Sequence, residues 1–256
     1  MNDFVVVIPA RFASTRLPGK PLREICGKPM LQHAWLRARE SRAHEVVIAT
    51  DDERIASAAK AFGANVCMTS DRHRSGTERI AEVAELFNWG DQAVVVNLQG
   101  DEPTMPPALI DQCATLLDDV AVDIATLASP LASAEDFSDP NVVKVICNRK
   151  GNAIYFSRAA IPYPRNETPA RKASDAALHH HGIYAYRCGI LRQLVASDAS
   201  PLELAEQLEQ LRALSLGMTI RVARPAVRPG KGVDTEQDLR QAEKELASAC
   251  FQSSAT

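Results

Sequence analysis

Apolar residues fall along the first half of the chain in two alternating rhythms. Phe4–Ile8 is an unbroken apolar run, the signature of a strand buried on both faces. Met30–Arg39 has the helical rhythm, with Leu31, Ala34, Trp35 and Ala38 on one face. The alternation continues: strand Glu45–Thr50, a helix from Asp52 to Phe62 capped by Asp51 or Asp52, strand Asn65–Met68, helix Thr77–Phe87 and strand Ala93–Leu98. Pro106 or Pro107 then opens a helix to Leu117, and Asp123–Ala128 is a further strand.

This β-α-β-α order predicts an α/β fold: a Rossmann-like, predominantly parallel sheet with helices on both faces. Right-handed crossovers gather the loops that follow the strands at one edge, where ligands bind such sheets. The loops Ala10–Lys20 and Gln99–Pro103 both follow strands and should share that edge.

After Pro130 the rhythm changes. Val142–Cys147 and Ala153–Ser157 flank the turn Asn148–Asn152 as a hairpin, Ile161–Ala176 reads as a loop, and His180–Arg187 as a strand. Pro201–Leu216 reads as one helix ending at Gly217, Thr219–Ala223 as a strand and Asp234–Ala247 as the closing helix. The expected layout is a single domain over residues 1–256 with a small inserted β-rich lobe around 130–190.

Composition narrows this only a little. A 46% apolar share is that of a globular protein, and no stretch approaches the roughly 20 continuous apolar residues that span a bilayer. A net charge of -3 gives no support for a nucleic-acid surface. Six cysteines, none in a CxxC pair, read as reduced core residues of a cytoplasmic protein. The distribution of charge says more: Arg11, Arg16, Lys20, Arg23 and Lys28 stand against Glu24 alone between Ala10 and Lys28. Such a focus indicates a small anionic ligand, with a solvated basic face as the plainer alternative.

The loop Ala10–Lys20 is neither a Walker loop nor a GxGxxG fingerprint, which argues against a dinucleotide-dependent oxidoreductase. Its small residues admit an anion to the backbone, Arg11 offers a planar fork and Lys20 a compact charge. Asp101, at the end of a buried strand, is placed to hold Mg²⁺, which takes one or two protein carboxylates. Asp234 offers a second carboxylate, although it or Thr235 could simply cap the final helix. Ser75-Gly76-Thr77-Glu78-Arg79 is a helix-capping sequence whose free N–H groups could also meet a base or an anion. His179, His180 and His181 alternate across a strand and cannot converge on one metal; His180, Gly182, Tyr184 and Tyr186 share a face suited to a sugar or to a buried polar network. Glu206, Glu209 and Gln210 would ordinarily be a solvated helical stripe.

Taken in order, the segments Phe4–Leu22, Ser75–Arg79, Asn97–Pro103, Tyr155–Arg158, Gly182–Arg187, Leu208–Arg212 and Gly232–Thr235 resemble the 3-deoxy-manno-octulosonate cytidylyltransferase family. The resemblance covers about residues 4 to 246, with departures at His179 and Glu236. It implies a nucleotide-diphospho-sugar transferase-like fold and transfer of CMP from CTP to 3-deoxy-D-manno-octulosonate (Kdo), which activates Kdo for lipopolysaccharide synthesis. By position it implies that Arg11, Ser14, Lys20, Ser75, Gly76 and Arg79 bind the nucleotide and that Asp101 and Asp234 hold Mg²⁺. Arg11, Lys20, Asp101 and Asp234 would be the catalytic set. Arg16, Gln99, Arg158, Arg165, His180, Tyr184, Glu209 and Gln210 would surround the acid sugar. It also implies a homodimer to which the 130–190 lobe contributes. The nearest alternative is a cytidylyltransferase for 8-amino-Kdo or sialic acid; a non-catalytic nucleotide-binding regulator is another.

Overall fold

The first strand sets the plan of the molecule. In a computed structural model that describes residues 3–13, 17–165 and 176–253, β1 (Phe4–Ala10) is buried at every position. Phe4, Val6 and Ile8 point to one face, toward Leu31, Ile55, Leu109 and Ile110. Val5 and Val7 point to the other, toward Ile80, Val83, Leu191 and Leu211. A strand covered on both sides has no position for a polar residue, which is why its sequence does not alternate.

Around it the chain lays down β2 (Glu24–Ile25), β3 (Lys28–Pro29), α1 (Met30–Arg39), β4 (Glu45–Thr50), α2 (Glu53–Ala61), β5 (Asn65–Met68), α3 (Gly76–Leu86), β6 (Val94–Asn97) and α4 (Pro107–Thr115). There follow β7 (Ile124–Pro130), α5 (Ala134–Ser138), β8 (Lys144–Cys147), β9 (Ala153–Ser157) and β10 (Leu178–Arg187). The chain closes with α6 (Cys188–Val195), α7 (Pro201–Glu206), α8 (Gln210–Ser215), β11 (Ile220–Ala223) and α9 (Glu236–Ser253). The sheet order is β11-β7-β10-β6-β1-β4-β5, with β8 and β9 branching from β10. β1 pairs in parallel with β4 and β6, β4 with β5, and β11 with β7. The predicted parallel sheet with helices on both faces is therefore present.

Three features differ from the pattern read off the sequence. β10 runs antiparallel between β6 and β7, so the longest strand of the 130–190 segment is part of the central sheet. Its antiparallel course carries His180 and Tyr184 toward the sheet edge that receives the β1 and β6 loops, because Tyr184 is opposite Asn97. The single helix expected over Pro201–Leu216 is two, α7 and α8, divided at Gln207, whose backbone is left-handed (φ 53, ψ 47). Two helices went unpredicted: α6, whose start has no side-chain cap, and the one-turn α5, closed by a Ser133–Asp136 capping box.

A small third cluster, Leu17, Ile25, Met30, Val233, Leu239 and Ala242, packs α9 against β2 and α1. It anchors both ends of the site described below. Among the described residues no helix is long and apolar enough to cross a membrane. Cys67, Cys113 and Cys188 are buried free thiols as expected, but Cys26 is exposed in the tight turn between β2 and β3.

Candidate active site

The C-terminal ends of β1 and β6 open into a cleft of about 580 Å³ lined by Arg11, Lys20, Gln99, Gly100, Asp101 and Asp234. Lys20 stands at its centre. Its ammonium donates to Asp101 Oδ2 at 2.6 Å and to Asp234 Oδ1 at 2.9 Å. Burial opposes the charge on Lys20, but Asp101 and then Asp234 outweigh it and hold its pKa above the ordinary lysine value.

The two carboxylates come from distant parts of the chain and are brought together by backbone contact. The Val233 N–H donates to the Asp101 carbonyl at 2.9 Å. Gly230 and Gly232 let the segment 230–234 lie directly on the 101–104 turn. A Cβ at Gly232 would stand 2.8 Å from Glu102 Oε1, and one at Gly230 would collide with the Thr104 hydroxyl and lie 2.6 Å from its carbonyl oxygen. Asp234 is not the cap of α9. Thr235 Oγ1 accepts from the Asp238 N–H at 3.2 Å while Asp238 Oδ2 accepts from the Thr235 N–H at 3.0 Å, closing a capping box without Asp234. Its carboxylate is thereby left to face Lys20.

Behind this pair lies Glu102, with a buried Oε2 that has no hydrogen-bond partner. Burial, reinforced by Asp101 and Asp234 and only partly opposed by Lys20, pushes its carboxyl up to about 8. The donor set fits a magnesium ion. Two carboxylates already converge on one cation in the cleft, and a third unpartnered oxygen lies next to them. Among the described residues no group of three or more His, Cys, Asp or Glu is placed to hold a metal ion without further ligands.

Next to the cleft is a cavity of about 150 Å³ lined by Arg11, His73, Arg74, Ser75, Gly76, Arg79 and Gln99. Gly76 presses the start of α3 onto Pro9, whose ring would be 3.1 Å from an added Cβ. Ser75 caps α3, accepting from the Glu78 N–H at 3.2 Å, so the plain capping role holds whatever else the residue does. Arg79 is buried, its guanidinium donating to Asp51 at 2.9 Å and to Thr69 at 2.5 Å. Arg74 and His73, which the sequence did not single out, lie in the irregular stretch between β5 and α3.

A third, smaller cavity of about 70 Å³ is lined by Thr77, Asn97, Tyr184, Tyr186, Glu209 and Gln210. Glu209 is not part of a solvated stripe. The break at Gln207 turns it inward, where Oε1 accepts from the Ser75 hydroxyl at 2.8 Å and Oε2 from the Thr77 hydroxyl at 2.6 Å. Glu206 is also engaged, accepting from Ser157 Oγ at 2.6 Å and the Arg158 N–H at 2.9 Å. Tyr184 stacks on Tyr186 with 5.8 Å between ring centroids, and its buried hydroxyl has no partner. His180 lies 5.2 Å from the Tyr184 ring, on the face the strand alternation predicts, with Phe156 edge-on at 5.2 Å. Desolvation, then His181 and His179, hold His180 neutral with a pKa of about 3.

The structure thus gathers Arg11, Lys20, Gln99, Asp101 and Asp234 in one cleft, Ser75, Gly76 and Arg79 beside it, and Tyr184, Glu209 and Gln210 in a third cavity. Arg158, Arg165 and His180 line none of the three. Arg158 is tied to the carbonyls of Glu206 and Pro140, and Arg165 is exposed. Ser14 and Arg16, also expected at the site, lie outside the described residues, as does most of the 161–176 loop.

Such a cleft, with paired carboxylates, a lysine and an arginine at the ends of β1 and β6, is that of a nucleotidyltransferase, and the comparisons narrow the class. The model of the cytidylyltransferase family matches residues 5–220. The 3-deoxy-manno-octulosonate cytidylyltransferase of Haemophilus ducreyi is 51% identical over 248 residues, 95% of this chain and 98% of that one. The 3-deoxy-manno-octulosonate cytidylyltransferase 1 of Actinobacillus pleuropneumoniae is 49% identical over 96% of this chain and all of its own. The chain therefore belongs to the 3-deoxy-manno-octulosonate cytidylyltransferase family. A solved structure of CMP:2-keto-3-deoxy-manno-octonic acid synthetase, complexed with CTP, superposes with a TM-score of 0.88 at 43% identity, covering 97% of this chain and 100% of that one. A 4-diphosphocytidyl-2C-methyl-D-erythritol synthase at 14% identity and TM-score 0.64, covering 96% and 99%, shares the fold.

Proposed function

We propose that this chain transfers the CMP unit of CTP to the anomeric hydroxyl of Kdo, releasing pyrophosphate. The observation that carries the reading is the convergence of Asp101 and Asp234 on the Lys20 ammonium beside Arg11, in a cleft wide enough for a triphosphate. Kdo and CTP are named by relatives about half identical over nearly the whole chain and by a structural neighbour complexed with CTP.

In this reading the sugar oxygen forms a bond to the α-phosphorus in line with the departing group. The α–β bridging P–O bond breaks, its electron pair leaves with pyrophosphate, and the hydroxyl proton passes to solvent. Arg11 is exposed at the cleft and grips phosphate oxygens; Lys20 sits low in the same cleft and neutralises charge growing on the leaving group. Asp101 and Asp234 would hold a magnesium ion, which would supply charge neutralisation on the phosphates and polarise the attacking hydroxyl. Ser75 and Gly76 bound the nucleoside, while Tyr184, Glu209 and Gln210 face the sugar hydroxyls. No covalent intermediate on the protein is required, so positioning and electrostatics supply the acceleration.

The proposal extends to a cytoplasmic homodimer that supplies lipopolysaccharide synthesis, with the 130–190 segment lining the sugar site and the dimer contact; sedimentation equilibrium tests the dimer. The substrate is tested by pyrophosphate release from CTP and Mg²⁺ with Kdo, 8-amino-Kdo and sialic acid in parallel. Release with Kdo at the highest kcat/KM is expected. A preference for either of the other acids would move the assignment to that sugar.

A further inference from the structure

The wall between the second and third cavities is a hydrogen bond. Ser75 lines the cavity that also holds Arg11, Arg79 and Gln99; Glu209 lines the one that holds Tyr184 and Gln210. Between them the Ser75 hydroxyl lies 2.8 Å from Glu209 Oε1, and the Thr77 hydroxyl lies 2.6 Å from Oε2.

Proton counting fixes the direction of these bonds. A hydroxyl has one proton to give and two lone pairs to offer, and a carboxylate only accepts. Ser75 Oγ already accepts from the Glu78 N–H at 3.2 Å, a donor that cannot reverse. Both Ser75 and Thr77 must therefore spend their protons on Glu209. The remaining valence of Ser75 Oγ is a lone pair. Toward anything bound in the nucleotide cavity, Ser75 is an acceptor and cannot become a donor without breaking its bond to Glu209.

We infer that Glu209 sets the base preference of the nucleotide site through Ser75: it is a positioning residue that makes Ser75 an obligatory acceptor. The inference rests on the nucleotide reading above and adds to it. Cytosine carries an amino group at C4, which donates, where uracil carries a carbonyl, which accepts. A fixed acceptor pairs with the first and opposes the second. Sites that bury a polar group made for one partner reject the analogue lacking it more strongly than apolar pockets do. An unrestrained serine would rotate its hydroxyl to suit either base; here the two-armed contact from Glu209 removes that freedom. The break at Gln207 acquires a purpose, because a continuous helix over 201–216 would carry Glu209 on its solvated stripe.

The test is equilibrium binding of CTP and UTP with Mg²⁺, without any sugar, by calorimetry on the wild-type protein, Glu209→Ala and Ser75→Ala. Wild-type is expected to prefer CTP by about 10-fold or more. In Glu209→Ala neither hydroxyl keeps its carboxylate acceptor and Ser75 can turn its proton to either base, and in Ser75→Ala the acceptor is gone, so the CTP/UTP ratio should fall at least threefold in each. The ratio is measured within one protein, so the lost cap of α3 or a weakened sugar site does not alter it. A ratio unchanged in both variants would overturn the inference, as would a wild-type protein that binds the two nucleotides equally. Absence of CTP binding by the wild-type would instead overturn the nucleotide reading itself.

Discussion

Glu102 offers the sharpest physical test of the site. Its carboxyl is buried behind Asp101 and Asp234, one oxygen has no partner, and its pKa is pushed from 4.5 to about 8. In the folded protein it keeps its proton to about pH 8, whereas in the unfolded chain it loses it near 4.5. The contribution to stability is thus fully present below pH 4.5 and is lost as pH rises through 8. The whole interval corresponds to about 5 kcal/mol at 1.36 kcal/mol per pKa unit, and roughly 3 to 4 kcal/mol of it falls between pH 5 and pH 8. Glu102→Gln keeps the shape of the protonated acid and removes the titration. Urea unfolding of both proteins in chelator, at half-unit steps from pH 5 to 8.5, should show a difference in stability that grows in favour of the variant by about 1.4 kcal/mol per unit in mid-range. Groups not coupled to Glu102 cancel in that difference. Parallel curves for the two proteins would refute the burial and the charge repulsion on which the reasoning depends.

Other consequences can be checked by simpler means. Asp101→Asn and Asp234→Asn should each lower turnover at least 100-fold and weaken Mn²⁺ binding measured by electron spin resonance. Both should leave the melting temperature nearly unchanged, because the partly exposed pair with Lys20 is worth about 1 kcal/mol or less; near-native turnover would remove the residue from the metal site. Gly230→Ala drives a Cβ into the Thr104 backbone, so thermal stability and turnover should fall together, and a variant equal to wild-type in both would show that segment 230–234 is not held where described. His180, held neutral with a pKa of about 3 against an ordinary 6.5, contributes stability that is present above pH 6.5 and lost as pH falls toward 3. His180→Asn should flatten the acid limb by up to about 2 kcal/mol at pH 5 in urea titrations, and an unaltered limb would mean the imidazole is hydrated.

Where local chemistry decides an element, the chain is readable. Met30–Arg39, Glu45–Thr50 and Asn65–Met68 lie within the residues their apolar rhythm predicts, because burial on one or both faces leaves a direct imprint. Asp52 caps α2 as a short polar residue before a periodic stretch should, accepting from the Arg54 N–H at 2.9 Å. The failures are of another kind. The break at Gln207 has neither Gly nor Pro to announce it, since the tertiary bonds of Glu209 to α3 select a left-handed residue there. The antiparallel insertion of β10 is a choice of pairing partners distant in sequence, which no local pattern records. The site was legible in the same unequal way. A strand-end carboxylate and a basic loop marked Asp101 and Lys20, but Asp234 is indistinguishable from a helix cap until Thr235 and Asp238 are seen to do the capping. Only the ordered resemblance of several motifs joined it to Asp101.

The central claim is met most directly by the mass of the product. Protein incubated with CTP, Kdo and Mg²⁺ should yield CMP-Kdo and pyrophosphate in equal amounts, with one of each for every CTP consumed. Intact CTP after prolonged incubation, or CDP or free CMP in place of the sugar nucleotide, would contradict it.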